Sequence, residues 1–439
     1  MKPTLELTSL TRAIARVLTV ATFVLAAAGS GWAAGKTLLN FQGIKGGVPN
    51  GNLVFDASGN LYGTTTAGGG SPNCTLGCGT VFKLEPTQGG RWKQTILHRF
   101  GGNVDGAAPF AGLIFDARGN LYGTTPYGGG SQNCQFIGGS GCGTVFKLAP
   151  QPDGTWAESI LYRFQGAADG ARPFSGLAFD GVGNLYGAAT YGGDENCYPR
   201  VGCGLVFELM PQANGSWLRT TLHEFGGVSQ GGDGAIPFGT LVFDQQGRLF
   251  GTTTTGGTGK GLNALGTVFE LTPAAGGWNY EVIHRFGFAD GAQPNAGLVI
   301  DSQGNLYGTA SQGGADAEGA VFELAPGTGD TWNETVLYSF QSFDDGNHPA
   351  SSVALAGADE LYVTTTWGGL ATPDCSAGCG TLHRLARSES GWGAQLIHRF
   401  TEDDGHAPNG VTLDADGHVY GTTQNGGEYS QGVVFEFLP

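Results

Sequence analysis

Six aspartates recur in the setting x-D-G-x-x-P: Asp105, Asp169, Asp233, Asp290, Asp345 and Asp404, with Lys45 at the first copy. Such residues could do either of two things. Asp-Gly followed by Pro makes a turn whose carboxylate bonds local amides. A ring of carboxylates could instead gather a hard cation such as Ca²⁺. Histidines fall in two classes. His98, His223, His284 and His398 share one repeated position, whereas His348 and His406 follow the last two Asp-Gly turns. An imidazole beside Asp345 or Asp404 could do acid–base work of the kind a lyase or glycosidase needs. Three large aromatics, Tyr127, Tyr191 and Trp367, break an otherwise repeated position. Aromatics on a wet, loop-rich face can stack on a sugar ring or a peptide, with Asp194, Glu195 and Asp374 nearby as hydrogen-bonding groups. They can also simply cover Gly-rich backbone.

The elements that must position these residues are repeats. GNLYGTT occurs at Gly59–Thr65 and again at Gly119–Thr125, and looser copies begin at Gly183, Gly247, Gly304, Asp359 and Gly417. One full unit runs from Pro109 to Phe164 as four β-prone runs: GLIFD, NLYGTT, GTVFKL and TWAESILYRF. A repeat of that length suits one four-stranded propeller blade. In the turn D-x-x-G-N, Asp caps its own turn and Gly accepts a positive φ. Six tryptophans (Trp92, Trp156, Trp217, Trp278, Trp332 and Trp392) start the fourth run and read as repeat packing, unlike Trp367.

The chain's two ends complement each other. The segment 36–41 matches a fourth-strand end, and Gly432–Pro439 is a third strand. The expected fold is therefore all-β: a seven-bladed β-propeller of four-stranded blades spanning 34–439. Strand 36–41 completes the last blade and closes the ring.

Composition bounds the partners. The net charge is −16, with 81 glycines and 40% hydrophobic residues. No basic footprint exists for nucleic acid. Residues 1–33 read as an export signal, with Arg12 and Arg16 before the apolar run Val17–Ala28 and Gly31-Trp32-Ala33 as a cleavage context. No other apolar stretch is long enough to span a bilayer, so the expectation is a secreted or periplasmic monomer with no membrane span after cleavage. All eight cysteines lie in local pairs: Cys74/Cys78, Cys134/Cys142, Cys197/Cys203 and Cys375/Cys379. An even count in an exported chain implies four disulfides stapling individual loops.

The string GLIFDARGNLYGTT…GGG…CGTVFKL with LHRF…DGAAPFAGL resembles the bacterial tandem repeats called GloVer, found in choice-of-anchor surface proteins. The match covers nearly all of the chain after residue 33. It implies an exported repeat protein and carries no reaction with it. The sixth unit departs from the pattern, with Ala356 at the turn-Asp position and Val363 for Gly. Motifs for nucleotide binding, zinc proteolysis and serine hydrolysis are absent. Two functions are expected: a non-enzymatic propeller binding carbohydrate or protein on its stapled loop face, or a polysaccharide lyase or glycosidase at the channel mouth. No cofactor other than Ca²⁺ is foreseen.

Overall fold

Alternating apolar runs and Asp-Gly turns produce short antiparallel strands, and each set of four hydrogen-bonds into its own sheet. The computed structural model describes residues 35–438 except 135–139, 195–196, 198–200, 228–231, 258–263 and 330. The export-signal segment 1–33 and Glu195 lie outside the described residues. Among those described, strands run from β1 (Lys36–Asn40) to β28 (Val433–Phe437) and form seven four-stranded sheets. Blade 1 is typical: β2 (Val54–Phe55), β3 (Leu61–Thr65), β4 (Thr80–Thr87) and β5 (Arg91–Arg99), in that spatial order. The fold is the expected seven-bladed propeller.

The seventh blade comes from both ends of the chain. β26 (His406–Leu413), β27 (Val419–Asn425) and β28 precede β1, which pairs antiparallel to β28 from Lys36↔Glu436 to Asn40↔Val433. Phe41, just beyond β1, is fully buried against Phe82 of blade 1.

Five of the seven letters of the repeated heptapeptide have a contact that accounts for them. Asp116 Oδ1 accepts the amides of Arg118 and Asn120, and Oδ2 accepts Asn120 Nδ2 and the Tyr122 hydroxyl. The Tyr122 ring meets Phe179 of blade 3 edge-on. The equivalent Tyr62 meets both Phe115 and Trp156 of blade 2. The starting tryptophans are therefore interblade packing, as expected. Gly123 leaves room for a core ring, since a Cβ there would lie 2.7 Å from Phe146 Cζ. Thr124 Oγ1 donates to the Ser175 carbonyl of blade 3 at 2.8 Å, and Thr125 shares a hydroxyl bond with Thr144.

The sixth unit's departures compensate one another. There the third-strand ring is His383 rather than Phe, paired opposite Val363. The smaller imidazole leaves space for the valine side chain where other blades need Gly. Glu360 replaces the missing turn Asp, accepting the Tyr362 hydroxyl at 2.7 Å and pairing with Arg384.

Candidate functional site

The connection from each fourth strand to the next first strand runs across the same face as the loop between second and third strands. The residue before each Pro is left-handed in all seven copies: Val48, Ala108, Arg172, Ile236, Gln293, His348 and Ala407, with φ between 53° and 58°. None is glycine, so each carries a backbone cost. Each donates its amide to the preceding blade's loop, for example Arg172 to the Cys142 carbonyl and His348 to the Glu318 carbonyl. The following Pro packs on the Gly that opens the neighbouring third strand, and a Cβ on Gly143 would lie 2.6 Å from Pro173 Cδ. This clamp fixes the rim of the channel and thereby the residues just after each Pro.

Those residues line the mouth of a central cavity of about 550 Å³. Phe110, Phe174 and Phe238 converge from three consecutive blades. Phe174 and Phe238 stack at 5.1 Å, and Phe110 meets each edge-on at 5.4 Å. Asn50, Asn295 and Asn409 occupy the same position in other blades and also line the cavity, as do Thr366 and Gln424. One side of the mouth is therefore aromatic and the other carries amides and hydroxyls. Sequence reasoning passed over these phenylalanines, although they vary at a repeated position as Tyr127, Tyr191 and Trp367 do.

The three aromatics singled out from sequence fall into two environments. Each forms a β-bridge with the D-G-x connection: Tyr127 with Ala107, Tyr191 with Ala171 and Trp367 with Asn347. Tyr127 and Tyr191 are half-buried beside the fully buried Arg172. The guanidinium lies 4.2 Å from the Tyr127 ring centre and donates to the Cys134 carbonyl at 2.8 Å. Burial pulls the Arg172 pKa down and pushes the Tyr191 pKa up. Trp367 is 44% exposed and stacks on His348 at 4.3 Å with an 18° tilt. Burial lowers the His348 pKa. Asp374 is exposed and Asp194 half-buried, both in the loops after second strands.

The six turn aspartates lie at the outer end of the connection, beside the fourth strand, and not at the channel mouth. Each accepts a backbone amide of its own turn, as Asp105 does from Gly101 and Asp345 from Gln341. Each also meets the repeated fourth-strand residue, which is His98, Tyr162, His223, His284, Tyr338 or His398. A residue of the following blade joins some of these pairs. Glu158 stands 3.4 Å from His98, and Arg219 stands 3.7 Å from Asp169. Burial first, then the charge of Asp105, raises the Glu158 carboxyl to about 7.

His348 and His406 do not engage the carboxylates proposed for acid–base work. Asp345 bonds Tyr338, and Asp404 bonds His398 at 2.7 Å. His406 stands 3.3 Å from Glu402 instead.

All four cysteine pairs are disulfides, as expected: Cys74–Cys78, Cys134–Cys142, Cys197–Cys203 and Cys375–Cys379. They staple individual loops, and the second cysteine of each pair lies wholly beneath the loop face. Cys78, Cys142, Cys203 and Cys379 are all 0% exposed and pack in the hydrophobic core, Cys78 with Phe100, Cys203 with Phe225 and Cys379 with Phe400. The reason is positional. Each stands directly before the Gly that opens the third strand, so the chain has already entered the blade there. The carbonyls of these four accept the clamp amides of Ala108, Arg172, Ile236 and Ala407. None of the four can therefore touch a ligand on the face. Three of the disulfides also pack on a Gly of the D-G connection, namely Gly102, Gly166 and Gly227. The staples thus hold the loop after the second strand down on the rim from below.

The comparison with protein families decides the lineage. The model of the Gloeobacter/Verrucomicrobia repeat matches residues 133–371 and 299–439. The chain belongs to this repeat family. No curated protein matches it. No helix among the described residues is long and apolar enough to cross a membrane.

Proposed function

We propose that this repeat protein is an exported, non-enzymatic binding propeller that takes carbohydrate at the channel mouth on its disulfide-stapled face. The observation that carries the reading is the two-sided mouth. Phe110, Phe174 and Phe238 present ring surface across a cavity of about 550 Å³ from Asn50, Asn295 and Gln424. A pyranose has an apolar C–H face and a rim of hydroxyls, so it matches aromatic rings on one side and amides on the other. Trp367, exposed on the blade 6 side of the same face, offers a separate ring for a longer chain. Export accords with four disulfides, which persist in oxidising compartments.

A glycan array followed by calorimetry on the best ligand tests this. Trp367→Ala and Phe174→Ala are each expected to weaken binding about tenfold or more, equivalent to about 1.4 kcal/mol. Turnover of the bound glycan would favour the lyase or glycosidase reading. Capture of a protein with no glycan bound, or glycan affinity unchanged in both variants, would overturn the assignment.

A further inference from the structure

We propose that the outer junction between blades 1 and 2 binds one divalent transition-metal ion, zinc in the first instance, through His98 Nε2, Asp105 and Glu158. This site is separate from the channel mouth and does not depend on what binds there.

The three ligand atoms come from two blades and already converge. His98 Nε2 lies 3.4 Å from Glu158 Oε1 and 3.7 Å from Asp105 Oδ2. All three lie within 4.8 Å of one another, and no other such set of three occurs among the described residues. Zinc bonded at about 2.0–2.2 Å to nitrogen and oxygen in a tetrahedron spaces its ligands about 3.3–3.5 Å apart. The observed gaps need only small rotations to reach that spacing. One imidazole with two carboxylates suits zinc and its neighbours, whereas calcium would call for six or more oxygens.

Two further observations bear on the site. His98 Nε2 and Glu158 Oε1 are both buried and have no hydrogen-bond partner, although such atoms ordinarily find one. His284 Nε2 and Glu334 Oε1 of the blade 4–5 junction share that state, so it is the convergence of all three ligands that sets the first junction apart. The neighbouring junction shows how the fold balances the same position when it supplies the charge itself. There Tyr162, Asp169 and Arg219 replace His98, Asp105 and Glu158, and Arg219 Nη1 stands 3.7 Å from Asp169. In the first junction a second carboxylate stands where that guanidinium would be. Arg163, a nearby guanidinium, donates to the Val104 carbonyl. Asp105 is held for ligation by the Gly101 amide at 2.8 Å, an orienting bond of the kind metal ligands carry. The three side chains are 16–23% exposed, so water can complete the coordination and the ion has a way in.

The blade 4–5 junction provides an internal control. It has the same residue types, His284, Asp290 and Glu334, but does not form such a converging set.

The test uses tag-free mature protein, stripped with chelator and titrated with Zn²⁺, with Co²⁺ as a spectroscopic probe. One zinc per chain is expected to survive desalting, and Co²⁺ should give the visible absorption of a low-symmetry four-coordinate site. His98→Ala and Glu158→Gln should each weaken zinc binding at least about tenfold, while His284→Ala should not change it. Glu158→Gln preserves shape, and the melting temperature of the stripped protein checks that it folds. Wild-type protein retaining no zinc, His98→Ala retaining it fully, or a loss caused equally by His284→Ala would overturn the proposal.

Discussion

Glu334 begins the fourth-strand face of blade 5 beside Asp290 of blade 4, and its carboxyl is pushed up to about 7 by burial and then by that charge. The turn carboxylates go the other way: hydrogen bonds from Asn120, Tyr122 and Arg118 outweigh burial and hold Asp116 below its ordinary value. The two groups therefore act on stability in opposite pH ranges. A raised folded-state pKa contributes stability below the unfolded value near 4.5 and loses it as pH rises through about 7. A depressed one, as in Asp116, contributes above its unfolded value near 3.8 and is lost in acid. Glu334→Gln, neutral at every pH, should match the wild-type melting temperature near pH 4.5 and exceed it at pH 8. Melting curves across that range check this. A variant no more stable than wild type at pH 8 would show that Glu334 is accommodated in its charged form.

Between strands, the unit of specificity is the fit of a glycine to the ring facing it on the third strand. Gly123 faces Phe146, and the sixth blade replaces both partners together, as Val363 and His383. Gly123→Val alone should cost about 1–3 kcal/mol by overpacking against Phe146 and Leu113. Adding Phe146→His should recover part of that loss, with a favourable coupling of at least about 0.5 kcal/mol in a denaturation cycle. Strict additivity would mean that the sixth blade's two changes are unrelated. The repeat made the blades legible in sequence because period, turn and strand all recur in register. The compensation was not legible, because Val363 and His383 read as two separate departures until the ladder pairs them. The mouth was hidden for a related reason. Phe110, Phe174 and Phe238, far apart in sequence, meet only once the ring sets three consecutive blades side by side. Arg172 likewise meets Tyr127 across a blade boundary, which turns an apparent binding aromatic into half-buried packing. Cysteine pairing was readable from spacing, but the depth of Cys78, Cys203 and Cys379 was not, because the core that covers them comes partly from the next blade.

At the scale of the molecule, everything on the rim depends on closure, because each clamp reaches to the neighbouring blade. The last clamp spans the ends of the chain: Val48 donates its amide to the Gln431 carbonyl, and Gly432 leaves room for Pro49. β1 supplies the other half of that closure, as the outer strand of the seventh blade. A chain beginning at Gln42 would leave β28 as an open edge and remove the buried Phe41 from its place against Phe82. Loss of such a ring costs about 3–5 kcal/mol, and an unpaired edge templates self-association. The truncated protein is expected to melt earlier and to run as oligomers in size-exclusion chromatography. Low stability alone could produce that result, so a permuted chain separates the causes. Lys36 pairs with Glu436, so a turn of about two to five residues can join the end of β28 to β1 as a hairpin. A chain starting at Gln42 and ending in that hairpin restores every strand in the order the other six blades already use. It should be monomeric and as stable as the original. If it oligomerises like the truncation, the ring needs its strand to arrive from the other end of the chain, and closure by strand content alone is wrong.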